Sequence, residues 1–227
     1  MQKDRSFEIL ETKERVSADN KKSAEKTVNE LADNKCFFIN LMSSPGAGKT
    51  STLSQIIKRL GDRYKIGVME ADTDSDVDAE TMSKLGVKVI QLHTGGSCHM
   101  DADMTRRGLE AMGFEDLDLV FLENIGNLVC PAEFDVGEHK KVMILSVPEG
   151  DDKPLKYPLM FSVSDLLLVN KIDTAPIFDF NMDALTERAK ELNPDIEIYP
   201  VSALNGTGFD ELCHKLVQLI EEWRAEQ

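Results

Sequence analysis

No apolar run in this sequence approaches the roughly twenty residues of a membrane span. The first residues do not join a basic flank to an apolar core, so no secretory signal is expected. Positive charge is also short: 26 Lys and Arg stand against 41 Asp and Glu, a formal net charge of −15. That balance argues against a nucleic-acid surface, which needs a basic stripe, and against anionic membranes. These absences predict a cytoplasmic chain with neither nucleic acid nor membrane as partner. Cysteine is scarce. Cys36, Cys98, Cys130 and Cys213 are the four in 227 residues, too few for a disulfide scaffold. In a reducing compartment each must fill core, act as nucleophile or hold a metal. Residues 1–35 contain neither cysteine nor histidine, so no metal site is expected there. Internal repeats, low-complexity tracts and a second-domain linker are lacking too.

What is present is a regular alternation of short apolar runs and amphipathic segments. Runs at 36–42, 65–70, 87–92, 117–123, 142–147, 165–170 and 196–201 read as strands. Helical spacing follows several of them, as in Leu53, Ile56, Ile57 and Leu60, and in Phe209, Leu212, Leu216 and Ile220. The expected architecture is α/β: a mostly parallel sheet of about seven strands with helices on both faces. Residues 1 to about 10 are expected to fray. Residues 1–34 form a helical extension whose apolar stripe is sparse: Val16, Ala24, Val28 and Leu31. Residues 35–227 form the main domain.

The first strand runs into Ser43-Ser44-Pro45-Gly46-Ala47-Gly48-Lys49-Thr50, and a helix follows. Strand, small-residue loop and helix opening at Gly-Lys-Thr is the context a phosphate loop requires, which predicts a P-loop NTPase fold. Backbone N–H groups of Gly46, Ala47 and Gly48 would approach phosphate oxygens, aided by the positive end of the helix. Lys49 would reach the β- and γ-phosphates, and the Thr50 hydroxyl would bind Mg²⁺, with Ser51 beside it. Ser43 stands where the first glycine of the usual pattern belongs.

The second strand ends in Asp72, opening a loop with four aspartates in seven residues; Asp76 could cap a helix beginning near Val77. Loops at strand carboxyl ends surround the ligand in this fold. Asp72 there would hold Mg²⁺ through water or orient an attacking water; a merely solvated acid is the bland alternative. The fourth strand delivers Glu123-Asn124-Ile125-Gly126 where GTPases usually place Asp-x-x-Gly. Gly126 could move when the γ-phosphate leaves, and Glu123 is one methylene longer than the usual Mg²⁺-side aspartate.

The base is chosen farther on. Asn170-Lys171-Ile172-Asp173 ends the sixth strand. A carboxylate at Asp173 can accept from guanine N1–H and the 2-amino group, whereas adenine offers no such pair of donors. The Lys171 stem can lie along the base, and Asn170 can tie the loop down. Ser202 and Ala203, after the seventh strand, supply the second base-contacting loop.

Cys98-His99 and Cys130 follow the third and fourth strands, on the nucleotide side of the sheet. Thiolate and imidazole suit Zn²⁺, Ni²⁺ or Cu rather than Mg²⁺. Asp101 and Asp103 are close in sequence as extra donors. Three ligands close no tetrahedral or square-planar site, so a second subunit, a partner or water must complete it. Spacing alone leaves a second reading open, a polar loop with one buried thiol. Cys36 and Cys213 read as core, and His93, His139 and His214 as solvated or satisfied histidines.

From Cys36 to its end the sequence resembles the hydrogenase-maturation GTPases of the HypB type. The matching stretches are Ser-Ser-Pro-Gly-Ala-Gly-Lys-Thr (43–50), Thr-Gly-Gly-Ser-Cys-His-Met-Asp-Ala (94–102) and Glu-Asn-Ile-Gly-Asn-Leu-Val-Cys-Pro (123–131). Glu-Gly-Asp-Asp-Lys-Pro-Leu-Lys-Tyr-Pro (149–158) and Asn-Lys-Ile-Asp (170–173) complete them. That family also tolerates Ser at 43 and Glu at 123. The resemblance implies GTP hydrolysis with Mg²⁺, a GTP-dependent homodimer, and Cys98, His99 and Cys130 as ligands of Ni²⁺ or Zn²⁺ at its interface. It further implies nickel delivery to a hydrogenase large-subunit precursor, with a small zinc-containing chaperone of the HypA type. The Cys-rich or His-rich amino-terminal nickel store of some relatives is lacking, so nickel storage is not expected. Asp103 and Arg107 stand where some relatives carry further histidines. A urease-type nickel GTPase would carry a Cys-Pro-His motif, which this sequence lacks. A scaffold whose GTP is never turned over, and a nucleotide-dependent kinase, are the competing readings.

Overall fold

The computed structural model describes residues 12–72 and 82–227. The expectations for residues 1–10, the Val16 side chain, and Asp76 as a cap lie outside the described residues. The seven apolar runs become strands β1 (Phe37–Ser43), β2 (Ile66–Asp72), β3 (Lys88–His93), β4 (Leu119–Glu123), β5 (Lys140–Ser146), β6 (Leu166–Asn170) and β7 (Glu197–Pro200). They form one sheet in the order β3-β2-β4-β1-β5-β6-β7, and every pairing is parallel.

A parallel sheet buries both faces, and β1 shows how period two divides them. Phe37, Ile39 and Leu41 join the core under α2 (Lys49–Leu60) and the carboxy-terminal helix. Phe38 and Met42 point the other way, into two smaller clusters. Those clusters are covered by α1 (Thr12–Asp33), α3 (Ala102–Met112), and two helices from the second half of the chain. Between β4 and β6 lie three short helices, α4 (Cys130–Glu133), α5 (Lys153–Lys156) and α6 (Pro158–Val163); α7 (Met182–Leu192) and α8 (Phe209–Ala225) follow. α8 buries Phe209, Leu212, Cys213, Leu216 and Ile220 on one stripe. Each such side chain contributes about 1.5–3 kcal/mol on full burial, so packing rather than helix propensity holds α8 in place.

Residue 16 aside, the stripe of α1 is real but shifted: Ala24, Thr27 and Leu31 are buried and Val28 is half-buried. This helix packs along α3, with Ser23 Oγ donating to Asp103 Oδ1 at 2.9 Å. His139, expected to be solvated or satisfied, is only half satisfied: its Nε2 is buried without a hydrogen-bond partner. Its Nδ1 accepts from the Phe38 N–H at 2.9 Å, and its ring stacks on Phe37. Burial pushes its pKa down to about 4, so the ring is neutral.

Strand order reverses direction beside β1, with β4 on one side and β5 on the other. Such a switch point opens a crevice at the carboxyl ends of the strands. Among the described residues, the loops that carry the sequence motifs emerge at that edge.

Candidate functional site

The phosphate loop leaves β1 and turns into α2 with Gly46 at φ 75° and Gly48 at φ 100°. Left-handed backbone of this kind favours glycine. At Gly48 space is decisive as well, since a Cβ would lie 2.5 Å from Asn170 Nδ2. Ala47 is buried, and Lys49 Nζ donates to Ser43 Oγ at 3.3 Å. The serine in the place of the first glycine therefore meets the loop lysine, and its own hydroxyl donates to Ser44 O. Thr50 Oγ1 donates to Glu123 Oε1 at 2.9 Å. A hydroxyl and a carboxylate converging at the head of α2 are a hard-oxygen donor set that fits Mg²⁺.

Beside them lies a cleft of about 410 Å³ lined by Lys49, Glu70, Asp72, Gln91, Glu123 and Gly126. Sequence reasoning missed Glu70 and Gln91. Register explains both: Glu70 stands opposite Gln91 on one side and Glu123 on the other, making one polar row across three strands. Glu70 and Glu123 are 3% and 4% exposed, so this is a place where the fold buries carboxylates. The available signal was an acid inside an apolar strand, two residues before Asp72 and on the same face. Glu149 was missed too; Ser44 donates to it, and it also caps the turn after β5 by accepting from Ser146 N. Gly126 has its own constraint, because a Cβ there would stand 2.9 Å from Pro45 N. The loop after β4 thus lies directly on the phosphate loop.

A second groove, of about 530 Å³, lies on the other side of α2 and is lined by Ser51, Asn170, Lys171, Asp173 and Ala203 among others. Asn170 is buried and uses both ends of its carboxamide. Nδ2 donates to Ala47 O at 2.9 Å, and Oδ1 accepts from Ala203 N at 3.0 Å. Lys171 has φ 60°, rare for a non-glycine residue, and its Nζ donates to Gly46 O at 2.7 Å. Such a conformation costs roughly 1–3 kcal/mol and persists where the surroundings dictate it. Ser202 is buried, and its Oγ donates to Asp173 Oδ1. Asn170, Lys171, Asp173, Ser202 and Ala203, spread over 34 positions of sequence, meet in one place around the phosphate loop.

The soft donors form a third cluster. Donor atoms of Cys98, His99 and Cys130 all lie within 4.8 Å of one another. Cys98 Sγ donates to Cys130 Sγ at 2.8 Å, and His99 Nδ1 is 3.7 Å from Cys98 Sγ. The hydrogen bond to Cys130 raises the pKa of the Cys98 thiol, with burial and the Cys130 charge adding to it. The His99 ring stacks on Phe134, centroids 3.8 Å apart. Asn127 links this cluster to the loop after β4, donating from Nδ2 to Cys98 O at 3.2 Å and accepting from Val129 N. Two thiols and an imidazole fit a borderline-soft ion such as Ni²⁺ or Zn²⁺. Asp101 and Asp103 do not join them: Asp101 Oδ1 accepts from Met104 N as the cap of α3, and Asp103 accepts from Ser23. Cys36 and Cys213 are buried in core, and burial pushes their thiols up to about 12 and about 11.

Known proteins share this sequence and fold. A hydrogenase maturation factor HypB of Azotobacter vinelandii is 50% identical over 175 residues, which is 77% of this chain and 58% of that protein. The chain therefore spans little more than half the length of that relative. The crystal structure of HypB from Helicobacter pylori in complex with nickel superposes with a TM-score of 0.85 at 33% identity, covering 90% of this chain and 96% of that one. The crystal structure of HypB from Archaeoglobus fulgidus gives 0.84 at 37% identity, over 89% of this chain and 99% of that one. The family model "CobW/HypB/UreG, nucleotide-binding domain" matches residues 37–200. The chain belongs to the CobW/HypB/UreG nucleotide-binding family, on its HypB branch.

Proposed function

We propose that the chain is a GTP-hydrolysing metallochaperone that assists nickel insertion into a [NiFe]-hydrogenase large subunit, with GTP-controlled dimerisation coupled to metal binding. One observation carries this reading: the loop after β4 begins at Glu123, against Thr50, and ends at Cys130, against Cys98. Nucleotide chemistry and metal ligation share one short stretch of backbone.

In this reading Lys49 neutralises the β- and γ-phosphates, and Thr50 and Asp72 hold Mg²⁺, the latter through water. Mg²⁺ supplies charge neutralisation on the phosphates. Glu123 senses the γ-phosphate side, and Asp173 reads guanine. Water attacks the γ-phosphorus and the bond to the bridging oxygen breaks, giving GDP and phosphate. Nickel is cargo, held by Cys98, His99 and Cys130. Three donors leave the site open, and a second copy would add two thiols and close it. Exposed Val129 beside Cys130, with Leu155 and Leu159 on the neighbouring α5 and α6, supports an interface on this face. A HypA-type zinc chaperone and the hydrogenase large-subunit precursor are the partners this function requires.

The test is light scattering and Ni²⁺ titration with GDP and with a non-hydrolysable GTP analogue. A dimer with the analogue, and nickel bound more tightly or with a different absorption spectrum than with GDP, are expected. Identical mass and identical nickel binding in both states would remove the coupling. Multiple-turnover phosphate release separates a GTPase from a scaffold that only binds the nucleotide.

A further inference from the structure

Both thiol-bearing segments meet α1 at one side chain, Asn20. Its Oδ1 accepts from Ala102 N at 2.9 Å, and its Nδ2 donates to Asp135 O at 2.7 Å. Ala102 lies four residues after Cys98 and opens α3; Asp135 lies five after Cys130 and follows Phe134. Between these two anchor points sit the paired thiols and the stack of His99 on Phe134. We propose that Asn20 is a positioning residue of the metal centre, latching together the two segments that supply its ligands.

The rest of α1 grips the same two segments. On one side Ser23 holds Asp103. On the other, Gly137 lies so close that a Cβ there would stand 2.7 Å from Thr27 Cβ and 3.0 Å from Ala24 O. The helix is therefore a splint laid across both, with Asn20 the only one of its described side chains hydrogen-bonded to the two at once. Asn127, bonded to Cys98 O, pins the same loops on the nucleotide side. A cluster pinned at both ends needs little further ordering when a metal arrives. Without the latch, binding must itself fix backbone that is otherwise free. The carboxamide is the required chemistry, because one anchor is a donor and the other an acceptor. Aspartate keeps the bond to Ala102 N but sets a carboxylate against the Asp135 carbonyl; alanine loses both.

The inference rests on the nickel-ligand assignment proposed above, and the experiment separates the two. Full-length protein with GDP bound is titrated with Ni²⁺, following the sulfur-to-nickel charge-transfer band, for the parent, Asn20→Ala, Asn20→Asp and Cys98→Ala. Groups that hold metal ligands in place typically change affinity about 10- to 100-fold when removed. Asn20→Ala should weaken nickel within that range and alter the band, with GDP affinity unchanged, and Asn20→Asp should fall between it and the parent. Cys98→Ala losing nickel while Asn20→Ala binds like the parent would overturn the latch and leave the metal site standing. Nickel binding indifferent to Cys98→Ala would remove the metal-site assignment and the latch with it. If Asn20→Ala loses GDP binding through misfolding, Asn20→Asp decides: parental nickel affinity in that variant overturns the proposal.

Discussion

The proposed guanine end and the proposed metal end of this site are built on opposite plans. At the guanine end a buried Asn170 ties phosphate loop to base loop, Lys171 is locked in left-handed backbone against Gly46, and Ser202 fixes Asp173. At the metal end Cys98 is exposed, His99 and Cys130 are half-buried, and two carboxamides hold the loops from either side. One end is tightly tied, which suits the proposed discrimination, because acceptors that cannot drift cannot suit another base. The other is held at few points, which suits the proposed uptake and release of a metal ion.

The sharpest break of this contrast is Asp173→Asn. Its amide would donate toward guanine N1–H and the 2-amino group, which also donate. GTP should bind roughly a hundredfold more weakly or worse, and xanthosine nucleotides should gain. Nickel binding with the nucleotide site empty should not change. Competition between fluorescent guanosine and xanthosine nucleotides reads the first outcome. GTP bound as tightly as by the parent would mean that the rigid end is not the base reader.

Acidity should separate the two ends next. The Cys98 thiol is held above its ordinary value, chiefly by its hydrogen bond to Cys130. Below that raised value the thiol carries a proton that an incoming metal must displace. Apparent nickel affinity should therefore rise with pH, about tenfold per pH unit for each proton released, and flatten once the thiol ionises by itself. Between pH 7 and 8 nickel titrations should show this slope, and GDP titrations should show almost none. A flat nickel profile would mean that no thiol proton leaves on binding.

The same contrast explains what the sequence disclosed. Its inner strands were legible because both faces of a parallel sheet are buried there, so each reads as an apolar run with its ends a residue or two uncertain; the edge strands β3 and β7 are only part-buried. The convergence of the residues at the proposed guanine end was legible because a fixed motif, Asn170-Lys171-Ile172-Asp173, follows a readable strand. Glu70 and Gln91 were not, because their membership depends on the register of β2 with β3 and β4, which no local pattern encodes. Glu149 is bonded to Ser44 across 105 positions, beyond the reach of spacing arguments. The metal cluster fell between: Cys98-His99 and Cys130 could be named, but their convergence is a property of two loops meeting. Asn20 sits in a segment that reads as a helical extension with a sparse apolar stripe, and nothing in its neighbours marks a polar residue that reaches two loops at once.

The smallest effect tests where the two ends communicate. Asn127 stands one residue after Gly126, which abuts Pro45 of the phosphate loop, and three before Cys130. Its side chain donates to Cys98 O, so a shift of the loop after β4 would reach both thiol-bearing segments together. Removing that bond leaves every metal ligand and every phosphate contact in place. Asn127→Ala should therefore keep GTP binding without nickel, and nickel affinity with GDP, close to the parent's, the change falling on nickel affinity with the analogue. What should shrink is the ratio of nickel affinities with the GTP analogue and with GDP. A single neutral hydrogen bond contributes about 0.5–1.5 kcal/mol, so the ratio should fall by roughly two- to tenfold. Linkage sets a companion measurement: nickel must change analogue binding by the same factor in the parent, and by the same reduced factor in the variant. An unchanged ratio in Asn127→Ala would show that the signal runs through the backbone from Gly126 to Cys130 alone, and Cys98 would then be a follower rather than a mover.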